Sequence, residues 1–292
     1  MDIKSTLRYL TNIKCFIAFL DNTLDDVMTG KPLNIRCIKH DYTDRWFADP
    51  YILDVTETQI ILLVEEFMWA TKKGRIAKLT IDRDTLRLVQ NVIVLDLPTH
   101  LSFPVIRRDG DTVYIYPENG ASESLNLYKF DNKSNTCIKV QELAKGELYD
   151  SVITDDLGEQ MMFATMGHSH DEANGNRLCL FRRGANGIFE NPEYLYLKEN
   201  TARMAGDFFT YKGKLYRPAQ ENNSDFYGHG LSIQKVTNNN GSVQLTEVRH
   251  IESNCSKGPD GIHTFNTYKD VIVVDVLADT PKWAKIIKGL LH

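Results

Sequence analysis

Apolar and polar positions alternate along most of the chain in short runs, and the runs form a degraded repeat. Five segments share it: FADPYILDVTETQIILLVEE (47–66), LSFPVIRRDGDTVYIYPEN (101–119), LYDSVITDDLGEQMMFATM (148–166), MAGDFFTYKGKLYRPAQ (204–220) and GIHTFNTYKDVIVVDV (261–276). Each reads as a strand, a polar turn, and a second strand rich in Val, Ile, Tyr or Phe, residues that suit a pleated, half-buried surface. The turns carry Asp109-Gly110-Asp111, Asp156-Leu157-Gly158 and Lys212-Gly213-Lys214, and glycine supplies the backbone freedom that hairpins need. Outer strands follow in RIAKLTID (75–82), LNLYKFD (125–131), RLCLFRR (177–183) and GLSIQKVT (230–237). Units of four strands repeating every about 40–50 residues predict an all-β, five-bladed β-propeller.

The two ends of the chain complete this picture. Residues 1–43 contain strand-like runs over Ile13–Leu20 and Leu33–Ile38, while the fifth unit stops near Val276 without outer strands. The expectation is ring closure, with the N-terminal strands finishing the last blade; an independent cap is the alternative. One domain then covers 1–292, with blades over 44–278. The tail is different. Thr280 and Pro281 suit a helix start, and Trp283, Ile286, Ile287, Leu290 and Leu291 fall on one apolar face. That short C-terminal amphipathic helix is expected either to dock on the propeller's flank or to touch an anionic membrane or a protein partner.

Composition narrows the class of function. A net charge of −5 with no basic tract disfavours a nucleic-acid partner. Five scattered cysteines without CxxC spacing read as reduced thiols, not as a zinc site or disulfide framework. With no secretory signal or membrane-spanning run legible, the expected location is cytoplasmic, peripheral at the inner membrane face if the tail binds there. No cofactor is expected. His168 and His170 in GHSHDE are spaced to reach a metal, but on a Gly/Asn-rich loop they read as solvated, and no metal is expected.

The recurrent polar residues carry the candidate chemistry. Asp49, Glu66, Glu118, Asp150, Asp207 and Asp260 fall at related places in the repeat, with Gln220 and His263 at others. Carboxyl groups that converge on an axis are costly unless paired or bound to a ligand. Arg203, Arg217, His100 and His263 can supply that pairing. Paired carboxyls whose environments split their protonation states are the equipment of chemistry at an anomeric carbon. Blade-to-blade ion pairing is the plainer reading of the same residues. Trp46, Phe103 and Tyr227 can stack on sugar faces, or can equally be core.

WFADPYI, HLSFPVI, VYIYPEN, LYDSVI, RMAGDFF, LYRPAQ and GIHTFN together resemble a known propeller family over about residues 44–276. It is the glycosidase-like domain at the N-terminus of glucosamine inositolphosphorylceramide transferases, also found in bacterial polysaccharide-synthesis proteins. That family is similar to the propellers of family 43 glycoside hydrolases. The resemblance implies Asp49 as general base, in a motif like Ala48-Asp49-Pro50, and Asp150 as the residue that orients the acid. The family's acid is a Glu opening blade four, where this chain reads Met204-Ala205-Gly206-Asp207; Asp207 and Glu118 are the substitutes. His100, Ser102, Arg203, Arg217, Gln220 and His263 are expected to contact substrate, Arg217 by holding a phosphate or carboxylate. The function expected is glycosyl transfer in cell-surface polysaccharide or glycolipid assembly, from a sugar or activated sugar donor. A family 43-like hydrolase and a non-catalytic sugar-binding propeller beside a transferase are the alternatives.

Overall fold

The computed structural model describes residues 14–167, 175–222, 228–252 and 261–278. Each blade starts from a hairpin of the repeat, because alternation of apolar residues gives every strand one face to bury. Among the described residues twenty strands form five antiparallel four-stranded units. Blade one holds β3 (Arg45–Val55), β4 (Gln59–Met68), β5 (Lys73–Asp82) and β6 (Leu88–Leu95). Blade two holds β7 (Ser102–Asp109), β8 (Thr112–Glu118), β9 (Ser124–Asp131) and β10 (Thr136–Lys145). Blade three runs through β11 (Leu148–Thr154), β12 (Met161–Met166), β13 (Arg177–Arg183) and β14 (Phe189–Tyr196). A single parallel bridge, Ala144 to Phe189, joins the outer strands of blades two and three. Blade four is β15 (Phe209–Tyr211), β16 (Lys214–Glu221), β17 (Gly230–Asn239) and β18 (Ser242–Glu252).

The fifth blade closes the ring. Its inner strands β19 (Gly261–Tyr268) and β20 (Val271–Ala278) come from the far end of the chain, and β1 (Lys14–Leu20) and β2 (Ile35–Cys37) from the near end, in the order β19-β20-β1-β2. β1 lies antiparallel on β20 with Ile17 opposite Asp275 and Leu20 opposite Ile272. Between β1 and β2 a short helix, α1 (Leu24–Thr29), starts on a Thr23–Asp26 capping box. The amphipathic helix expected over 280–292, with Trp283, Ile286, Ile287, Leu290 and Leu291, lies outside the described residues. Among the described residues no helix is long and apolar enough to cross a membrane.

Apolar clusters glue neighbouring blades. Leu62, Leu79 and Ile81 of blade one share a buried cluster with Ile17, Phe19 and Val273 of blade five. Ile233 and Leu231 of blade four share another with Phe265 and Val274 of blade five. Each such side chain contributes about 1.5–3 kcal/mol when fully buried.

The innermost strands carry the feature that builds the site. In β3, β7 and β11 one extra residue breaks the pairing, between Ala48 and Tyr51, Ser102 and Val105, and Tyr149 and Val152. Asp49, Phe103 and Asp150 sit at these bulges with φ of 51°, 45° and 47°, a left-handed conformation that costs energy for a side chain bearing Cβ. β19 has the same irregularity at His263, between Ile262 and Thr264. A bulge leaves an N–H outside the ladder and turns a side chain from the sheet plane. Pro50 and Pro104 follow two of them, where a missing donor does no harm.

Candidate active site

The bulges aim Asp49, Asp150 and His263 into one cavity of about 510 Å³, which Glu65, Glu118 and Arg203 also line. Trp46, Ala48, Phe67, His100, Ser102, Tyr149 and Cys15 complete its wall. Register explains the blade-one contribution. Trp46 pairs with Phe67 and Ala48 with Glu65, so these four share one face of the hairpin. Trp46 and Phe67 stack with centroids 4.7 Å apart and planes 8° from parallel, and Trp69 meets both edge-on. This is a flat apolar wall beside a ring of carboxyls, a combination suited to a sugar with one apolar face.

The N–H groups freed by the bulges are taken up by carboxylates, each from the blade before. Asp49 N–H donates to Asp275 Oδ2 at 2.9 Å, Phe103 N–H to Asp49 Oδ2 at 3.0 Å, and Asp150 N–H to Glu118 Oε2 at 2.8 Å. Asp275, Asp49 and Glu118 thus hold blades one, two and three to their predecessors. Part of the carboxylate recurrence in the sequence is therefore structural.

Charge is balanced unevenly around the cavity. His263 lies between two carboxylates, with Nδ1 at 2.7 Å from Asp275 Oδ1 and Nε2 at 3.3 Å from Asp49 Oδ1. Burial opposes its positive charge, but Asp275 and Asp49 outweigh it and hold the ring protonated well above the ordinary histidine range. Asp275 also accepts from Thr264 N–H at 2.9 Å. Arg203 Nε bonds Asp150 Oδ2 directly. Burial raises Asp150 against the pull of that guanidinium. Burial, with the Asp150 charge adding to it, pushes Glu118 up to about 8. The Arg203 guanidinium on Asp150 favours its ionised form, which leaves Glu118 the more readily protonated of the two. Burial likewise pushes Glu65 up to about 7, with His100 pulling the other way.

These shifts have a measurable sign. Between about 4.5 and about 8 the folded Glu118 binds more protons than the unfolded one, so stability falls as pH rises through that window. Glu118→Gln is expected to reduce the fall, with Glu65, Asp207 and His263, all raised in the folded chain, carrying what remains. Unfolding midpoints across the window check it, and an unchanged slope contradicts the assignment.

Asp49, His263 and Asp275 each bring a possible ligand atom within 4.8 Å of the others. Both His263 nitrogens already face carboxylates, so a cation would have to take over those bonds.

The structure brings Asp49, Glu118, Asp150, Trp46, His100, Ser102, Arg203 and His263 together, as the sequence suggests, and removes others. Glu66 points to the opposite face of β4, where it accepts from Arg45 Nη1 at 2.5 Å, Arg75 Nε at 2.7 Å and Asn91 Nδ2 at 2.8 Å. It is a structural ion network. Arg217 is fully buried and donates to Ala202 O at 3.1 Å, Thr201 O at 2.5 Å and Gln234 Oε1 at 3.0 Å, so it holds the chain before blade four, not a ligand. Gln220, also buried, donates to Met204 O at 2.9 Å. Phe103 is core, edge-on to Tyr51. Asp207 lines a separate cavity of about 290 Å³ with Arg107, Arg108 and Asp156, residues from the other end of the inner strands. It cannot serve as acid for the first cavity. Tyr227, Asp260, His168 and His170 lie outside the described residues.

Three participants escape a reading of the repeat. Glu65 is one position from Glu66, and only knowledge of which face of β4 is inward separates them. Asp275 sits in an apolar run, VIVVDV, where a lone acid is itself the signal. Phe67 becomes visible once it is paired with Trp46.

Five four-stranded blades around a carboxyl-lined axial cavity define the class of fold, a five-bladed propeller with its candidate site on the axis. The fold is similar to that of an exo-β-1,3-galactanase variant from Phanerochaete chrysosporium solved with β-1,3-galactotriose, at a TM-score of 0.58 and 10% identity over 80% of this chain and 56% of that one. It is also similar to a family 43 β-xylosidase/α-arabinofuranosidase from a compost metagenome, at 0.54 and 12% over 80% and 90%. Residues 32–289 match the family described as glucosamine inositolphosphorylceramide transferase 1, N-terminal, and the chain belongs to that family. Among curated relatives, glucosamine inositolphosphorylceramide transferase 1 of Oryza sativa subsp. indica is 26% identical over 201 residues, 67% of this chain and 27% of the relative. Its Arabidopsis thaliana counterpart is 28% identical over 152 residues, 49% of this chain and 19% of the relative. The chain thus spans about a quarter or less of these relatives' length.

Proposed function

We propose that the cavity makes or breaks a glycosidic bond in the assembly of cell-surface glycolipid or polysaccharide, with its carboxyl groups moving protons at the anomeric carbon. The observation that carries this reading is the contrast among four carboxyls facing one space. Asp49 sits against the His263 cation and Asp150, itself raised by burial, is pinned by Arg203, while Glu65 and Glu118 are held toward their protonated forms by burial. One ionised and one protonated carboxyl are what such a reaction uses. In this reading Asp49 takes the proton of the attacking hydroxyl, and Asp150 with Arg203 fixes the geometry.

The charge of the cavity bears on the donor. A sugar nucleotide brings a diphosphate, for which Arg203 is already spent on Asp150 and Arg217 is sequestered. A glycoside donor fits better, and hydrolysis is the same chemistry with water as acceptor. The relatives' name points to glucosamine, whose ammonium suits an acid-lined space. A thermal-shift screen tests this with methyl glucosaminide, methyl glucoside and uridine-diphosphate sugars. Stabilisation by the glucosaminide is expected; stabilisation by the nucleotide sugars alone would overturn the reading.

A second reading, a sugar-binding propeller without catalysis, is favoured by the blade-to-blade bonds of Asp49 and Glu118. Binding without turnover would select it.

A further inference from the structure

Among the cavity's carboxyls, Glu65 stands apart because no structural task is visible for it. Asp49 and Glu118 each bind the bulge of the next blade, and Asp150 is pinned by Arg203. Glu65 is 5% exposed, and its Oε1 is buried without a hydrogen-bond partner. Burial disfavours the charged form and His100 offsets it only in part, so the group is held toward its protonated form.

Its neighbour is arranged to receive what remains once that proton leaves. Gly74 N–H donates to His100 Nδ1 at 2.9 Å. This keeps Nδ1 an acceptor, leaving the ring proton on Nε2. Nε2 lies 3.2 Å from Glu65 Oε1, without the alignment of a full hydrogen bond in this state. The close approach depends on Gly74. A Cβ there would stand 2.5 Å from Glu65 Oε1, 2.5 Å from Leu101 O and 2.8 Å from the His100 ring.

From this geometry, and resting on the reading of the cavity given above, we infer that Glu65 is the group that protonates the departing glycosidic oxygen, with His100 and Gly74 as its positioning residues. As the bond from anomeric carbon to leaving oxygen breaks, its electron pair stays on that oxygen, which takes the Glu65 proton. The acceptor hydroxyl gives its proton to the Asp49 carboxylate as the new carbon–oxygen bond forms. The Glu65 carboxylate left behind turns to the His100 Nε2–H until solvent returns the proton. Glu118, with Oε1 on Ser102 Oγ at 3.2 Å and Oε2 on Asp150 N–H, stays in the wall.

The groups whose charge reaches Glu65 are His100 on the segment before β7, Asp49 on β3 and His263 on β19; Cys15 on β1 feels Glu65 in turn. Of these, Asp49 favours the protonated form of Glu65 and the two histidines oppose it.

The test uses the full chain and two aryl glycosides of one sugar, a mononitrophenyl glycoside that needs a proton to depart and a dinitrophenyl glycoside that does not. Glu65→Gln is expected to lower kcat on the first by about 100-fold and on the second by less than about 5-fold, within the range of a single proton donor. Gly74→Ala should move the same way to a smaller extent and shift the basic limb of the pH profile. Equal losses on both glycosides, or no loss, overturn the donor role while leaving glycosidic chemistry in place. Wild type inert toward both glycosides overturns the reading of the cavity and the role with it. An independent readout is the protonated-carboxyl infrared band, to which Glu118 and Asp207 also contribute. One component, read in the difference between wild type and Glu65→Gln, should fade as pH passes about 7 and be missing from the variant. Its persistence in that variant, with none lost, overturns the assignment without reference to activity.

Discussion

Asp49→Asn is expected to reduce turnover by about a thousandfold while leaving saccharide binding within a few-fold of wild type, the range of loss seen when a positioned base is removed. The substitution is close to isosteric and the surroundings can absorb it. The amide oxygen still accepts from Phe103 N–H, the bond that ties blade two to blade one. The amide nitrogen then faces His263 Nε2, which can give up its proton and accept, because Nδ1–H remains bonded to Asp275. One charged hydrogen bond is exchanged for a neutral one, at about 1–2 kcal/mol. Steady-state kinetics beside a binding titration separate the two effects. Activity within tenfold of wild type would remove Asp49 from the role of base.

Asp275→Ala should be among the most destabilising changes in the chain, by about 3–5 kcal/mol, because it strands a buried charge. Asp275 is fully buried and holds three donors: His263 Nδ1, Thr264 N–H and the bulge N–H of Asp49. Without it the His263 cation loses its stronger partner, and the backbone N–H groups of Asp49 and Thr264 lose their acceptor. Asp275→Asn should recover part of the loss, since an amide oxygen accepts from some of the three. Denaturant unfolding of both variants measures this. A loss below about 1 kcal/mol for the alanine variant, the scale of one ordinary hydrogen bond, would mean that the Asp275–His263 pair is not a structural support.

The fold was legible because the chain states it five times. Period-two alternation and glycine-bearing turns give the hairpins, and truncation of the fifth unit predicts closure by the N-terminal strands, which β1 and β2 provide. The site was legible where the repeat and the family motifs coincide, at Asp49, Asp150, Glu118 and His263. It was not legible where one residue of register decides. Glu65 and Glu66 are adjacent acids of equal chemistry, and the face of β4 sends one to the cavity and the other to Arg45 and Arg75. Arg217 misleads for a related reason: a buried arginine that satisfies backbone carbonyls and one that awaits a phosphate look alike in sequence. Asp207 follows the repeat, yet its strand is short and starts past the bulge position, which leaves its side chain at the other end of the axis.

The ring of bulge N–H bonds explains how carboxyls are tolerated at the centre at all. Asp275, Asp49 and Glu118 each pair with a donor that a bulge creates, and Asp150 with Arg203, so for three of the acids the backbone irregularity and the group that meets it are one device. Catalysis and ring closure would then draw on the same groups, and Glu65 alone among the described cavity acids would be free of the structural duty.

The most direct measurement is proton NMR of the anomeric signals while wild type and Asp49→Asn act on a panel of aryl glucosaminides, glucosides, galactosides and xylosides. The account predicts that wild type releases a single anomer from at least one of them and that Asp49→Asn releases it about a thousandfold more slowly. Saturable binding of the same glycosides by wild type, with no product anomer on long incubation, would contradict it and leave a propeller that holds sugars without acting on them.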